Sequence, residues 1–403
     1  METFCSLLTA APKGLSKCRE PLTRVQSTFC SLLTQLQKLH QNQKVLKISV
    51  PAPFLLNGRE APKGFIEEAP IKFMRFFGVN YNVGLGNEAW TQLSYDSLKQ
   101  SMQLLKNMNV NYVKINGNSL EKMRPVAEAA ADFGLGLWIA PRFANVTPQK
   151  HIKLIQPFAE YAEDLRKNKK SHIVLCVGNE ASLYVNGLLP GKDLFERLNN
   201  MRSYSKFLLT PEKEFSAFPK IYKAAISYKE KCDDKLNDFL SKLTQDVKKT
   251  FKGDVTYSKG YWEKVKWNKF DIVSMNLYLS QWNRGKMDEI LKSELKSTGK
   301  PCVLTEFGTA CFKGAADLGI DASLYLREQP NIQPDDDAQI VGLTEQLKVI
   351  NKAVIDGCFV WQLIDPDARG FGIASVLKDG KIDPKRSAGI ISEYYSNWAH
   401  SSR

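Results

Sequence analysis

From Ile71 to Trp398 two hydrophobic rhythms alternate along the chain. Short apolar, β-branched runs, closed by glycine or by a polar side chain, are interleaved with longer stretches in which apolar residues recur every three to four positions. The short runs predict strands at Phe76–Tyr81, Val113–Ile115, Leu135–Arg142, His172–Glu180, Val255–Ser258, Phe270–Tyr278, Pro301–Gly308 and Cys358–Trp361. The longer rhythm predicts helices at Ser94–Met108, Glu121–Asp132, Pro148–Arg166, Lys286–Leu295, Asp337–Val354 and Ser387–Trp398. Ser94 is placed to cap the first of these, and Leu98, Met102 and Leu105 keep helical spacing behind it. A long, mostly helical insertion, about 181–251, follows the fourth strand, with Leu189-Pro-Gly191 as a turn.

Strands alternating with helices, without a Rossmann glycine fingerprint, predict an α/β fold, either a (β/α)8 TIM barrel or a doubly wound open sheet. The barrel is favoured because polar or chemically capable residues terminate most of the strands: Asn80, Lys114, Arg142, Glu180, Tyr278, Glu306 and Trp361. A barrel converges those ends on one face, whereas an open sheet spreads them along an edge.

Residues 1–70 differ in character from the remainder of the chain. They are poor in acids, carry Pro51, Pro53, Pro62 and Pro70, and contain Thr-Phe-Cys-Ser-Leu-Leu-Thr twice, at Thr3–Thr9 and Thr28–Thr34. The domain reading is therefore an N-terminal extension, 1–70, before a barrel spanning 71–403. The extension is either an organelle transit peptide, plastid or mitochondrial, or an extension without an address. No apolar run is long enough to span a membrane. The formal charge of +13 is scattered, with Arg166–Lys170 and Lys248–Lys252 at helix ends where cations suit the dipole, so a solvated basic surface is expected rather than a nucleic-acid groove. The eight cysteines show no zinc spacing, and Cys176, Cys302 and Cys358 fall inside predicted strands as small hydrophobes. A reducing, intracellular compartment is expected, cytoplasmic or organellar, with no metal and no organic cofactor.

Two of the buried strands end in carboxylates, Asn179-Glu180 on the fourth and Thr305-Glu306 on the seventh. An unpaired buried carboxylate is costly, so both side chains must emerge into a polar cavity. A retaining glycosidase needs such a pair roughly 5–5.5 Å apart, one protonated as acid and one ionised as nucleophile. The arrangement resembles clan A of the glycoside hydrolases over about Ile71–Trp398. That resemblance implies Glu180 as acid/base, Asn179 as the residue binding the neighbouring sugar hydroxyl, Glu306 as nucleophile, Tyr278 as its contact and Trp361 as the floor of the sugar site. A closer likeness is to barrel proteins labelled "abortive infection protein", echoed at Pro141-Arg142, Gly178–Ala181, Pro190-Gly191 and Thr305–Gly308. It carries no substrate.

The chain departs from the clan in having Lys114 where arginine is usual and Arg142 where histidine is common. Lysine gives Glu306 a point charge without a guanidinium fork. Asn80, Lys114 and Arg142 join the expected substrate-binding set. Trp90, Trp262 and Trp282 are candidate cleft residues, and Asp365 and Asp367 a loop cap. The expected function is a retaining glycoside hydrolase or transglycosidase acting on a small glycoside or oligosaccharide. The rivals are a catalytically silent carbohydrate- or metabolite-binding barrel and a non-hydrolytic acid/base enzyme on a specialised metabolite.

Overall fold

A computed structural model describes residues 75–84, 93–169, 171–209, 219–294, 299–353 and 355–401. The extension 1–70, its repeated heptapeptide and Trp90 lie outside these. Eight parallel strands close into a barrel, β1 Phe76–Asn82, β2 Tyr112–Gly117, β3 Gly136–Pro141, β4 Ile173–Asn179, β5 Asp254–Lys259, β6 Val273–Asn276, β7 Cys302–Phe307 and β8 Gly357–Val360. The barrel lies in one compact unit, Ala61–Leu208 with Lys229–Arg403.

Helices α1 Tyr95–Asn107, α2 Leu120–Asp132 and α3 Pro148–Asn168 follow the first three strands. Each begins at a hydroxyl cap: Ser94, Ser119 and Thr147 accept from the backbone N–H of Ser97, Lys122 and Lys150, contacts worth about 1 kcal/mol apiece. The insertion after β4 contains α4 Ala181–Tyr184, α5 Leu194–Leu209 and α6 Pro219–Thr250. Beyond β6 come α7 Met287–Glu294, then α8 Ala315–Leu318, α9 Ala322–Glu328 and α10 Asp336–Ala353 around β7 and β8. A two-stranded antiparallel hairpin, β9 Ala374–Val376 and β10 Ile382–Pro384, precedes α11 Arg386–Ser401. The hairpin and the short α8 and α9 are not in the sequence reading, because runs of three to seven residues carry too little periodicity. The sixth strand is shorter than expected. A 3-10 turn at Trp267–Lys269 delivers Phe270, and Asp271 spends its carboxylate on the Val255 N–H.

Alternation along the strands divides the hydrophobic interior in two. Val79, Val113, Leu137, Leu175 and Leu304 belong to the large cluster that also holds Met102 and Leu105 of α1 and Ile155 of α3. Phe76, Trp138, Val174, Ile272, Val303 and Phe359 form a second cluster inside the barrel. Trp138 meets the Phe359 ring at 4.9 Å and the edge of Phe76 at 5.7 Å. Gly78 makes room for this plug, since a Cβ there would lie 2.1 Å from the Phe359 ring. β1 and β8 meet in register from Phe76 opposite Gly357 to Val79 opposite Val360. Tyr395 of α11 clasps that seam, its hydroxyl 2.7 Å from the Gly78 carbonyl and 3.1 Å from that of Cys358.

Candidate active site

Two to four residues further along the strands the interior turns polar. Asn80, Asn116, Thr256, Ser258, Ser274 and Thr305 are all fully buried. They bond one another and nearby carbonyls: Thr256 Oγ1 lies 2.9 Å from Ser274 Oγ, and Asn116 donates to Asn80 Oδ1 at 3.0 Å. Charge gathers at the C-terminal ends of the strands, joined by Lys114, which stands in the middle of β2 opposite Asn80 and not at the strand end expected from sequence.

Glu306 is the centre of that charge. On β7, Val303 and Thr305 already face inward, Thr305 donating to Asn276 Oδ1 at 2.8 Å, so period two alone would turn Glu306 toward the helices. A register shift against β6 between Met275 and Asn276, and another against β8 between Leu304 and Phe307, turns it inward instead. β4 repeats the device: Val174 and Cys176 face in, and a shift between Cys176 and Asn179 brings Asn179 to the same side. Both carboxylate-bearing strands thus break pairing next to the residues that matter.

Around Glu306, Lys114 Nζ, Arg142 Nη2 and Asn179 Nδ2 donate to Oε1 at 3.2, 3.0 and 2.8 Å, and the Tyr278 hydroxyl donates to Oε2 at 2.9 Å. Burial by itself disfavours this carboxylate, but Lys114 and Arg142, with the Asn179 and Tyr278 donors, outweigh it and hold the group below the usual glutamate value. Arg142 is held even more firmly as a cation. Burial opposes its charge, but Tyr184, Glu306 and Glu180 together favour it. Its guanidinium also lies over the rings of Tyr184 and Trp361, 5.2 and 5.6 Å from their centroids.

Glu180 follows β4 and opens α4. Asn276 Nδ2 donates to Glu180 Oε1 at 3.1 Å and to Asn179 Oδ1 at 2.7 Å, so Asn276 and Asn179 link Glu180 to Glu306. The Glu180 carboxyl is pushed up to about 7, by burial first and then by the negative charge of Glu306, with Arg142 and Asn276 opposing. Two carboxyl groups on one hydrogen-bonded chain therefore titrate in opposite directions from the ordinary value.

The other expected residues are distributed differently. Asn80 spends its amide on the carbonyls of Thr305 and Val360, 3.0 and 3.3 Å away, and makes no bond to Glu306. Trp361 is buried beside Arg142, in a cluster with Tyr278 and Phe371. Trp262 donates to Ser182 Oγ at 3.0 Å, while Trp282 is exposed and packs on Tyr261. Asp365 and Asp367 accept from backbone N–H groups two residues ahead, as loop caps do. Among the described residues no three His, Cys, Asp or Glu side chains gather as metal ligands would. Asn276 and Tyr184 were missed by sequence reasoning. Asn276 had a signal, since period two back from Tyr278 puts it on the same face. Tyr184 lies in an insertion with no strand register to count from.

No protein-family model matches the chain, and no curated protein matches it. Solved structures do. A GH113 β-1,4-mannanase aligns over 81% of this chain and 99% of its own, at 13% identity and a TM-score of 0.51. A β-glucuronidase from Ruminococcus gnavus in complex with uronic deoxynojirimycin aligns over 80% of this chain and 49% of its own, at 14% identity and a TM-score of 0.50. At such identities the likeness is one of fold, and the fold shared is the (β/α)8 barrel.

Proposed function

We propose that the protein is a retaining glycoside hydrolase or transglycosidase in which Glu306 is the nucleophile and Glu180 the acid/base. One observation carries the reading: carboxyl groups from the ends of β4 and β7 share a hydrogen-bonded chain, with one held ionised and the other raised to about 7. Glu180 protonates the departing oxygen as Glu306 attacks the anomeric carbon, then takes a proton from water or from an acceptor hydroxyl to release the sugar. Asn179 bonds the adjacent sugar hydroxyl, Tyr278 steadies Glu306, and Trp361 and Arg142 wall the site. The substrate class is a small glycoside or oligosaccharide. Residues 1–70 are read as an extension separate from the barrel, with an organelle address tested by fusing them to a fluorescent protein.

The test is a panel of aryl glycosides assayed with matched 2-fluoro sugars, followed by mass spectrometry of the labelled peptide. A covalent adduct on Glu306 is the expected result. Glu180→Ala should keep the first step on good leaving groups and, with added azide, yield a glycosyl azide of unchanged anomeric configuration. An azide product of inverted configuration from this variant would exchange the two roles. One feature favours the silent-binding alternative: two cations and an amide converge on Oε1 of Glu306, which lowers its nucleophilicity. Sugar binding by calorimetry, with no adduct and no turnover, would decide for that alternative.

A further inference from the structure

The turn after β5 holds a third buried carboxylate that the proposed chemistry does not use. Glu263 is 3% exposed and accepts three hydrogen bonds: Ser182 N–H at 3.0 Å on Oε1, and the Tyr257 hydroxyl at 2.8 Å and Gly260 N–H at 2.9 Å on Oε2. Its own N–H closes the turn onto the Gly260 carbonyl at 3.0 Å. The Tyr257 hydroxyl in turn accepts from Ala181 N–H at 2.7 Å. The two backbone N–H groups directly after Glu180 are therefore tied to Glu263, one directly and one through a phenol.

Those ties matter because of the backbone of Glu180. Its φ of 49° and ψ of 45° lie in the left-handed region, which a residue with a Cβ occupies only where its surroundings impose it. Two further bonds hold it: Glu180 N–H bonds the Ser258 carbonyl of β5 at 2.9 Å, and Leu183 N–H bonds that of Glu180 at 2.9 Å. A neutral acceptor would satisfy the Ser182 N–H at lower desolvation cost than a buried carboxylate.

We infer that Glu263 is a positioning residue for Glu180: acting through Tyr257 and the backbone of Ala181 and Ser182, it holds the turn from which the Glu180 carboxyl enters the cleft. The inference rests on the acid/base role proposed for Glu180. Glu263 also adds, after Glu306, to the negative field on Glu180. The other titratable groups facing Glu180 are Arg142, Tyr184, Tyr257 and Tyr278, and Tyr257 is the one bonded to Glu263.

Two variants of the full chain separate position from charge. Glu263→Gln removes both the charge and an acceptor, whereas Tyr257→Phe cuts the relay and leaves the charge. The first readout needs no substrate: a carbon-13 titration of the Glu180 carboxyl, assigned by difference against Glu180→Gln. Its midpoint should fall by about half a unit or more in Glu263→Gln and move less in Tyr257→Phe. The second readout is leaving-group dependence. Both variants should lose about 10–100-fold in kcat/KM on glycosides with poor leaving groups, and less than about 3-fold on dinitrophenyl glycosides, whose departure needs no acid. An unmoved midpoint together with equal losses on all substrates would reduce Glu263 to scaffolding and overturn the inference. If the wild-type protein turns over no glycoside, the proposed function fails, and the titration alone still judges the coupling of Glu263 to Glu180. Should Glu263→Gln not fold, Tyr257→Phe, which deletes a single oxygen, carries the test.

Discussion

The two ends of the barrel interior are built on opposite terms. At the N-terminal ends of the strands Phe76, Trp138, Val174, Ile272, Val303 and Phe359 pack into a dry plug. Toward the C-terminal ends, Arg142, Asn179, Tyr278 and Glu306 join Lys114, which reaches up from the middle of β2, in one hydrogen-bonded network. Burial stabilises the first set directly. In the second, every buried charge costs desolvation that its partners must offset, so the mouth contributes geometry and charge at little net gain in stability. The floor holds the strands in place, and the mouth uses that rigidity to keep charges where water would scatter them.

Substitutions at each end sharpen the contrast. The largest effect is expected from Glu306→Gln: turnover should fall by on the order of 10⁴-fold or more, and, with Lys114 and Arg142 left facing a neutral group, stability at neutral pH should drop by about 3 kcal/mol. Retained turnover, measured on the substrate that best labels the wild type, would remove Glu306 from the chemistry. Next comes the floor. Trp138→Ala should cost about 3–5 kcal/mol in denaturant unfolding. The limbs of the pH–rate profile should move little, because Lys114, the strand neighbour of Trp138, is held by its own bond to Glu306. If those limbs move, the two ends are not separable.

Glu180→Gln should act in the opposite direction from Glu306→Gln. The folded Glu180 value of about 7 lies above that of the unfolded chain, so between about pH 4.5 and 7 the unfolded state has released a proton that the folded state still binds. Stability contributed at low pH is thus lost as pH rises through that window, by up to about 3 kcal/mol. The variant should melt higher than wild type at pH 8 and alike at pH 4, and a difference independent of pH would refute the assignment. Glu306, held below the usual value, has the reverse sign: its stabilisation is present at neutral pH and fades as acid protonates it. The smallest effect is Lys114→Met. Loss of one of two cations should raise the acid limb of activity by about one unit while Arg142 preserves the rest, and an unchanged limb would leave Lys114 with no electrostatic role.

Much of this architecture was legible before the structure. Apolar runs such as Ile173–Val177 and Val303–Leu304 mark strands buried on both faces, and hydroxyl caps such as Ser94 mark where helices begin. The cost of burying an unpaired carboxylate pointed Glu306 into the cavity, but the means was not legible, because alternation from Thr305 sends it outward and the register shifts bring it in. Glu263 was hidden for a different reason. Tyr257 and Gly260 lie close to it in sequence, but Ser182 of α4 is 81 positions away, and nothing in an aromatic-rich turn announces a carboxylate bonded to the backbone of that helix. A polar residue at a strand end reads as a ligand group, yet the Asn80 amide is occupied by carbonyls of β7 and β8.

The clasp of Tyr395 over the β1–β8 seam carries a consequence for biogenesis. Its two ends, Tyr395 and the Gly78 carbonyl, are 317 positions apart in the chain. While the polypeptide is being made, β1 waits with a bare hydrogen-bonding edge until β8 has emerged. Ring closure is therefore a late, non-local event, slow by the logic of contact order, and the nascent sheet stays open to mispairing with its neighbours throughout.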